Sequence, residues 1–242
     1  MNLDRLFRPQ NVVVYGGKWS DYVLDQCRKL GFPGNLWRVH PSRDGCFRQT
    51  TDLPDVPDST FLGINRDLTL PVLRDLRSMG LGGAVLFASG FGEIEEGHSY
   101  RDALDEAAGD LPYIGPNCYG FINFFDRVAL WPDQAVGRVQ ERGAAIISQS
   151  GTISITLMGQ RRSLPVGYVI SLGNQQRLAA EDLIRYCAQD SRVSAIGLYL
   201  EGIKNVPAFV QAVDEARRLE KPVALVKAGR SRKGQELSLT HT

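Results

Sequence analysis

Ala144-Ala145-Ile146-Ile147-Ser148-Gln149-Ser150-Gly151-Thr152-Ile153 decides how the rest of this chain is read. An apolar run of strand length, residues 144–148, passes straight into small polar residues and then into a helical pattern over about 151–162. Strands buried on both faces read as such runs, so the junction points to a parallel sheet covered by helices. Its chemistry is informative too. Ser148, Ser150 and Thr152 supply three hydroxyls, Gly151 permits close approach, and the first helical turn carries no acidic residue. Unpaired amide protons at a helix start make Ser150, Gly151 and Thr152 candidate phosphate-binding residues, while a serine N-cap with a tight turn is the plainer reading of the same residues.

The same alternation continues in both directions. Downstream, strands at 166–171, 195–200 and 223–226 are separated by helices at about 179–189 and 207–219. The last of these has Pro207 near its first position, with Phe209, Val210, Val213, Ala216 and Leu219 expected to face the sheet. Upstream, strands are expected at 11–15, 36–39, 60–64, 83–87 and 113–114. Ser20 reads as the cap of a helix ending at Gly31, with Tyr22, Val23, Cys27 and Leu30 on one face. Thr69 reads as the cap of a second helix, followed by Pro71, with Val72, Leu73, Leu76 and Met79 inward. A further helix is expected near 100–108. Between the two series, residues 123–142 lose the rhythm and read as an irregular connector. The expectation is an α/β chain of two units, 1–140 and 141–242, because 242 residues can build two cores of ordinary size.

Composition narrows the partners. With 28 basic and 27 acidic residues the net charge is +1, which gives no field to hold nucleic acid or an anionic membrane. Any anion is therefore bound locally. No apolar run approaches the roughly 20 residues of a membrane span, and no secretory leader is legible, so the cytoplasm is the expected compartment. Cys27, Cys46, Cys118 and Cys187 have no paired spacing and read as buried free thiols. Three scattered histidines offer no metal spacing, and no metal site is expected.

In open parallel sheets ligands gather beyond the carboxyl ends of the strands. Gly16-Gly17-Lys18-Trp19-Ser20 lacks the spacing of a nicotinamide-nucleotide loop, yet Gly16 and Gly17 allow close approach and Lys18 could neutralise a phosphate. His40-Pro41 ends the second strand as a surface or ligand-contact pair. Gly115-Pro116-Asn117-Cys118-Tyr119-Gly120 is either a rigid turn or a loop whose Asn117 pins a ligand carbonyl or a neighbouring loop. Ser171-Leu172-Gly173-Asn174 repeats that arrangement. Glu201 closes an apolar strand, where a carboxylate needs a partner. His241, in the loop after 223–226, is one: Glu201 accepting from its ring N–H would fix the tautomer and leave the other nitrogen free to attack phosphorus. Capping of the next helix by Glu201, or a contact with Lys204, are the alternatives.

These loops, in this order, resemble the nucleotide-diphosphate-forming acyl-CoA synthetases, the superfamily that includes the succinyl-CoA synthetase α subunit and ADP-forming acetate–CoA ligases. The resemblance runs from Leu6-Phe7-Arg8-Pro9 through Gly31-Phe32-Pro33-Gly34, Ser89-Gly90-Phe91, Gly115-Pro116-Asn117-Cys118, Ser148-Gln149-Ser150-Gly151 and Tyr199-Leu200-Glu201-Gly202 to Lys227-Ala228-Gly229-Arg230-Ser231 and Thr240-His241-Thr242. It implies a Rossmann-like CoA-binding domain over 1–140, with coenzyme A on Gly16, Gly17, Lys18, His40, Pro41, Ser89, Gly90, Phe91 and Asn117. It implies a flavodoxin-like ligase domain over 141–242, incomplete at its C-terminus. His241 would be the phosphorylated histidine, Glu201 its orienting carboxylate, and Ser150-Gly151-Thr152 the phosphoryl site. The implied partners are an acyl-CoA or carboxylic acid, phosphate, and an ATP-grasp domain, in the same polypeptide or a separate subunit, that binds ATP or ADP with Mg2+; an oligomer is implied as well. Two non-ligase readings stand beside this: a CoA-binding regulatory or scaffold protein, and a nicotinamide-dependent oxidoreductase.

The chain departs from the family in its short Gly16-Gly17-Lys18 loop, in Arg177 where relatives carry an acid, and in stopping at Thr242. A fragment of a longer protein, inactive for the overall reaction, is therefore expected. The acid pocket is expected to depend on Phe121, Phe124, Phe125 and Tyr168.

Overall fold

The computed structural model describes residues 2–91, 97–159 and 164–229. A short helix α1 (Asp4–Phe7) precedes β1 (Asn11–Gly16), α2 (Lys18–Leu30), β2 (Asn35–Val39), β3 (Ser59–Gly63), α3 (Arg66–Ser78), β4 (Gly83–Leu86), α4 (Gly97–Ala108) and β5 (Tyr113–Ile114). Their five strands form one parallel sheet in the order β2-β1-β3-β4-β5. The chain continues through β6 (Gly120–Asn123), β7 (Val128–Leu130), β8 (Gly143–Ser148), α5 (Gly151–Met158), β9 (Val166–Ser171), α6 (Ala180–Gln189), β10 (Val193–Leu200), α7 (Val206–Arg218) and β11 (Val223–Lys227). The second sheet runs β11-β10-β8-β9-β6-β7, parallel except for the β6–β7 hairpin. In each sheet the first strand of the series lies inside, with later strands on either side. That reversal opens a crevice at the carboxyl ends of β1 and β3, and another at those of β8 and β10.

The stretch expected to be an irregular connector carries β7, and its hairpin pairs with β9 rather than with the first sheet. Strands of four and three residues are too short for alternation to reveal them, and burial on every residue removes the polar face that marks a strand. The hairpin also welds the two units. Ala129 exchanges contacts with Cys27 of α2, its carbonyl accepting from Sγ at 3.2 Å and its amide donating to Sγ at 3.4 Å. One apolar cluster accordingly runs from Val12, Val14 and Val23 through Phe121 and Trp131 to Ile147 and Ile170.

Two caps differ from expectation because nearby groups compete better. Helix α2 begins at Lys18, and Ser20 turns back inside it to donate to the Tyr15 carbonyl at 2.7 Å. Helix α3 begins at Arg66 because Asn65 accepts from the Leu68 amide at 2.9 Å. Thr69 and Pro71 consequently lie within that helix. On α7, Phe209, Ala212 and Ala216 are buried whereas Val210 and Leu219 are exposed, so the inward stripe is narrower than the periodicity implied.

Candidate functional site

Helix α5 starts where β8 ends, beside the crevice of the second sheet. Ser150 caps it, its Oγ accepting from the Ile153 amide at 3.4 Å. Ser148 Oγ fixes the turn by accepting from the Ser150 amide at 3.0 Å and donating to its carbonyl at 2.8 Å. The amides of Gly151 and Thr152 belong to the helix's unpaired first turn, and no acid lies there. The Ser150 hydroxyl caps the helix, as the plainer reading expects. Gly151 is required by packing, since a Cβ there would stand 2.4 Å from the Tyr119 ring.

Across the crevice, Glu201 follows β10. Its amide and that of Gly202 both donate to Gln149 Oε1, at 2.6 and 2.9 Å, so the buried Gln149 ties the end of β8 to the end of β10. Lys227 adds a third tie, donating from Nζ to the Glu201 carbonyl at 2.5 Å. These bonds tie the Glu201 backbone and leave its carboxylate aside. Its Oε2 is buried and has no hydrogen-bond partner among the described residues. Neither alternative role is seen: Asn205 caps α7, and Lys204 Nζ donates to the Gln175 carbonyl. His241 lies outside the described residues.

A cavity of about 760 Å³ joins the two sheets at this point. It brings together Ser89, Asn117, Ser150, Gly151 and Thr152, with Trp19, Phe87 and Tyr119 along one side. Asn117 sits at the seam: its amide donates to the Ala88 carbonyl at 2.9 Å, and the Pro116 carbonyl accepts from the Asn174 amide at 2.9 Å. Gly16, Gly17, His40 and Pro41 line a second hollow of about 490 Å³, which shares Gly63, Ile64 and Asn65 with the first. Close approach explains Gly16, whose φ is +118° and where a Cβ would lie 2.3 Å from the Gly63 carbonyl oxygen. Arg38 holds this turn by donating to the carbonyls of Gly16 and Gly17 at 3.1 and 3.0 Å. Asp21 clamps Arg38 and Arg43 together. Burial works to raise the Asp21 carboxyl, but hydrogen bonds from Arg43 and Arg38 hold it below the usual range.

Other candidates are not gathered there. Lys18 lines neither hollow and points along α2, its Nζ 5.9 Å from the Tyr22 ring centre. Phe91 is fully buried against Tyr100, and the Gly90 carbonyl accepts from Arg66. Phe121, Phe124, Phe125 and Tyr168 are buried core residues that line neither of the two hollows. The aromatic side of the cavity comes instead from Trp19, Phe87 and Tyr119. Gln149 was missed as well, although its place inside Ser-Gln-Ser-Gly was a signal: a buried amide between two strand ends has four hydrogen-bond sites to satisfy.

Two parallel sheets flanked by helices, with the start of α5 lining a cavity between them, define the α/β architecture of this chain. The domain family described as succinyl-CoA ligase like flavodoxin domain matches residues 141–242. A trans-feruloyl-CoA synthase from an unknown prokaryotic organism is 31% identical, aligned over 99% of this chain and 36% of its own length. The acetate–CoA ligase [ADP-forming] I α subunit of Pyrococcus furiosus is 27% identical over 100% of this chain and 56% of its own. Among solved structures, the apo dinucleotide-forming acetyl-coenzyme A synthetase 1 of Ca. Korarchaeum cryptofilum superposes with a TM-score of 0.91 at 27% identity, covering 100% of this chain and 55% of that one. The chain belongs to the ADP/NDP-forming acyl-CoA synthetase superfamily. It spans between about a third and just over half the length of these relatives.

Proposed function

We propose that this chain is the CoA-binding and phosphohistidine-bearing part of an ADP- or NDP-forming acid–CoA ligase. The observation that carries the reading is the buried, unpaired Oε2 of Glu201, a residue whose backbone amide is anchored to Gln149 at the end of β10. Burying a carboxylate oxygen without a partner is costly, and an imidazole N–H is the partner that makes the arrangement useful. Coenzyme A would lie from the hollow of Gly16, Gly17, His40 and Pro41 toward Ser89 and Asn117, a path supported by the residues the two hollows share. Arg48 lines the outer hollow and can meet a phosphate there.

In the ATP-forming direction, a phosphate oxygen attacks the thioester carbonyl carbon, the C–S bond breaks, and CoA leaves as the thiol, giving an acyl phosphate. His241 then attacks phosphorus, the P–O bond to the acyl oxygen breaks, and the carboxylate is released. The amides of Gly151 and Thr152 would stabilise the transferring phosphoryl group. Nucleotide and Mg2+ chemistry belongs to an ATP-grasp segment, in cis or on another subunit. Support comes from relatives named as ADP-forming ligases and from a similar structure described in complex with phosphate and ADP. Those relatives include an aryl acid and small acids, so names alone leave the acid open.

The test has two arms. Calorimetry on this chain is expected to show CoA binding; a folded chain without it removes the reading. In the natural full-length polypeptide, ADP formation is expected to require acid, CoA and ATP, and acid-labile protein phosphate is expected to vanish in His241→Asn and fall in Glu201→Gln. Label that persists in His241→Asn places the phosphoryl carrier elsewhere.

A further inference from the structure

The cavity has two chemically different ends, and a row of rings connects them. Tyr119 packs against the first residue of α5, so closely that Gly151 has no room for a Cβ. From Tyr119 the row continues to Phe87, 6.2 Å away between ring centres, and from Phe87 to Trp19, a further 5.4 Å. All three line the same cavity. Phe87 and Tyr119 are partly buried, while Trp19 is 45% exposed on the first turn of α2. A large indole left open beside two other rings presents stacking surface that the fold itself does not cover.

We propose that this row is the acyl-binding wall, and that the substrate is a carboxylic acid bearing a planar aromatic group rather than a short aliphatic acid. The inference rests on the ligase reading above. With the phosphoryl group at the amides of Gly151 and Thr152 and the acyl carbonyl joined to it, the substituent has Tyr119 as its nearest neighbour and extends along Phe87 toward Trp19. Acetate would leave the row uncovered. Each ring contact is worth roughly 2- to 12-fold in affinity, so two contacts separate an aryl acyl group from an acetyl group by roughly 4- to 140-fold.

Calorimetry on the full 242-residue chain with CoA, acetyl-CoA and 3-phenylpropanoyl-CoA tests this. The aryl thioester is expected to bind at least about fourfold tighter than acetyl-CoA and to quench tryptophan fluorescence. That ratio is expected to fall by about 2- to 12-fold in Trp19→Ala and to shrink in Phe87→Leu. Equal affinity for the two thioesters, with CoA itself bound, overturns the aromatic wall and leaves the ligase reading standing. A preference that survives both substitutions places the aryl group elsewhere and also overturns it. Failure of all three probes to bind a folded chain sinks the ligase reading and this inference with it.

Discussion

Gln149 and Glu201, 52 residues apart in sequence, are joined by a 2.6 Å hydrogen bond in which the Glu201 amide donates to Gln149 Oε1. The neighbouring Gly202 amide donates to the same oxygen at 2.9 Å. One buried side chain therefore sets the spacing between the serine-rich turn after β8 and Glu201 after β10. The strands themselves are adjacent and in register, Tyr199 beside Ser148, but ladder bonds end there. Beyond that point Gln149 carries the alignment.

Replacing Gln149 with Leu keeps the volume and leaves two strand-end amides unpaired. A loss of about 2–3 kcal/mol is expected, since each orphaned buried donor costs about 1–3 kcal/mol and part of the turn can reach water. Urea denaturation measures it. A variant as stable as the wild type shows that the strand ladder alone fixes the crevice.

Gly151→Ala drives a methyl group into the Tyr119 ring, with 2.4 Å available where ordinary contact needs about 3.4 Å or more. The ring, the helix start or both must move, at a cost of about 1–3 kcal/mol. Phosphate is expected to raise the melting temperature of the wild type and to have a much smaller effect on the variant, because a ligand stabilises only the state that binds it. Equal phosphate shifts would locate the anion away from α5.

Asp190 anchors the N-terminal segment to the second sheet. Its side chain is 3% exposed and accepts from Arg8 at 2.7 Å, from Arg192 at 2.9 Å and from Tyr168 at 3.0 Å. Burial works to raise its pKa, but the hydrogen bonds from Arg192 and Tyr168 and the nearby guanidinium charge bring it down to about 2. A carboxyl depressed in the folded state stabilises fully above its unfolded pKa, near 3.9, and loses that stabilisation as pH falls through the folded value. Wild type is therefore expected to exceed Asp190→Asn by roughly 2 kcal/mol at pH 6, with the gap closing steadily between about pH 4.5 and 2. A gap independent of pH over that range shows that Asp190 acts by packing alone.

Thiol reactivity reports the core directly. Cys27 and Cys118 are buried and pushed up to about 12 by that burial, and Cys187 is buried and shifted the same way. Cys46 is partly open to solvent. Titration of the native chain with a disulfide reagent is expected to modify Cys46 alone, and denaturant to release the other three thiols together. Fast labelling of Cys27 would mean that the β6–β7 hairpin leaves α2 readily.

Most of the secondary structure was legible because buried parallel strands and amphipathic helices write themselves locally. Residues 11–15, 144–148 and 166–171 need no distant partner to be recognised. Ser150-Gly151-Thr152 was legible for the same reason, since a cap and a helix start involve neighbours in sequence. The hairpin at β6 and β7 was not, because its strands are short and their burial comes from β9 and α2. The caps at Ser20 and Thr69 misled because Ser and Thr favour helix starts on average, whereas Gly17 precedes α2 without a side-chain cap and Asn65 reaches the first-turn amide of α3. Phe121, Phe124, Phe125 and Tyr168 were expected to shape a pocket and instead fill the core; aromatic content does not say on which side of a sheet a ring falls.

Local periodicity and strand-end chemistry, both carried by neighbouring residues, were enough to establish an α/β chain with small-residue turns at its strand ends and an acid after β10. What only the folded chain decided is which of those turns share a space. Trp19, Phe87, Tyr119 and Thr152 meet in one cavity, Lys18 and Phe91 fall away from it, and Gln149 rather than any charged residue spans the crevice. The physical reason is strand order: hydrogen bonding between β1 and β3 and between β8 and β10 brings distant loops together, and no local pattern encodes that pairing.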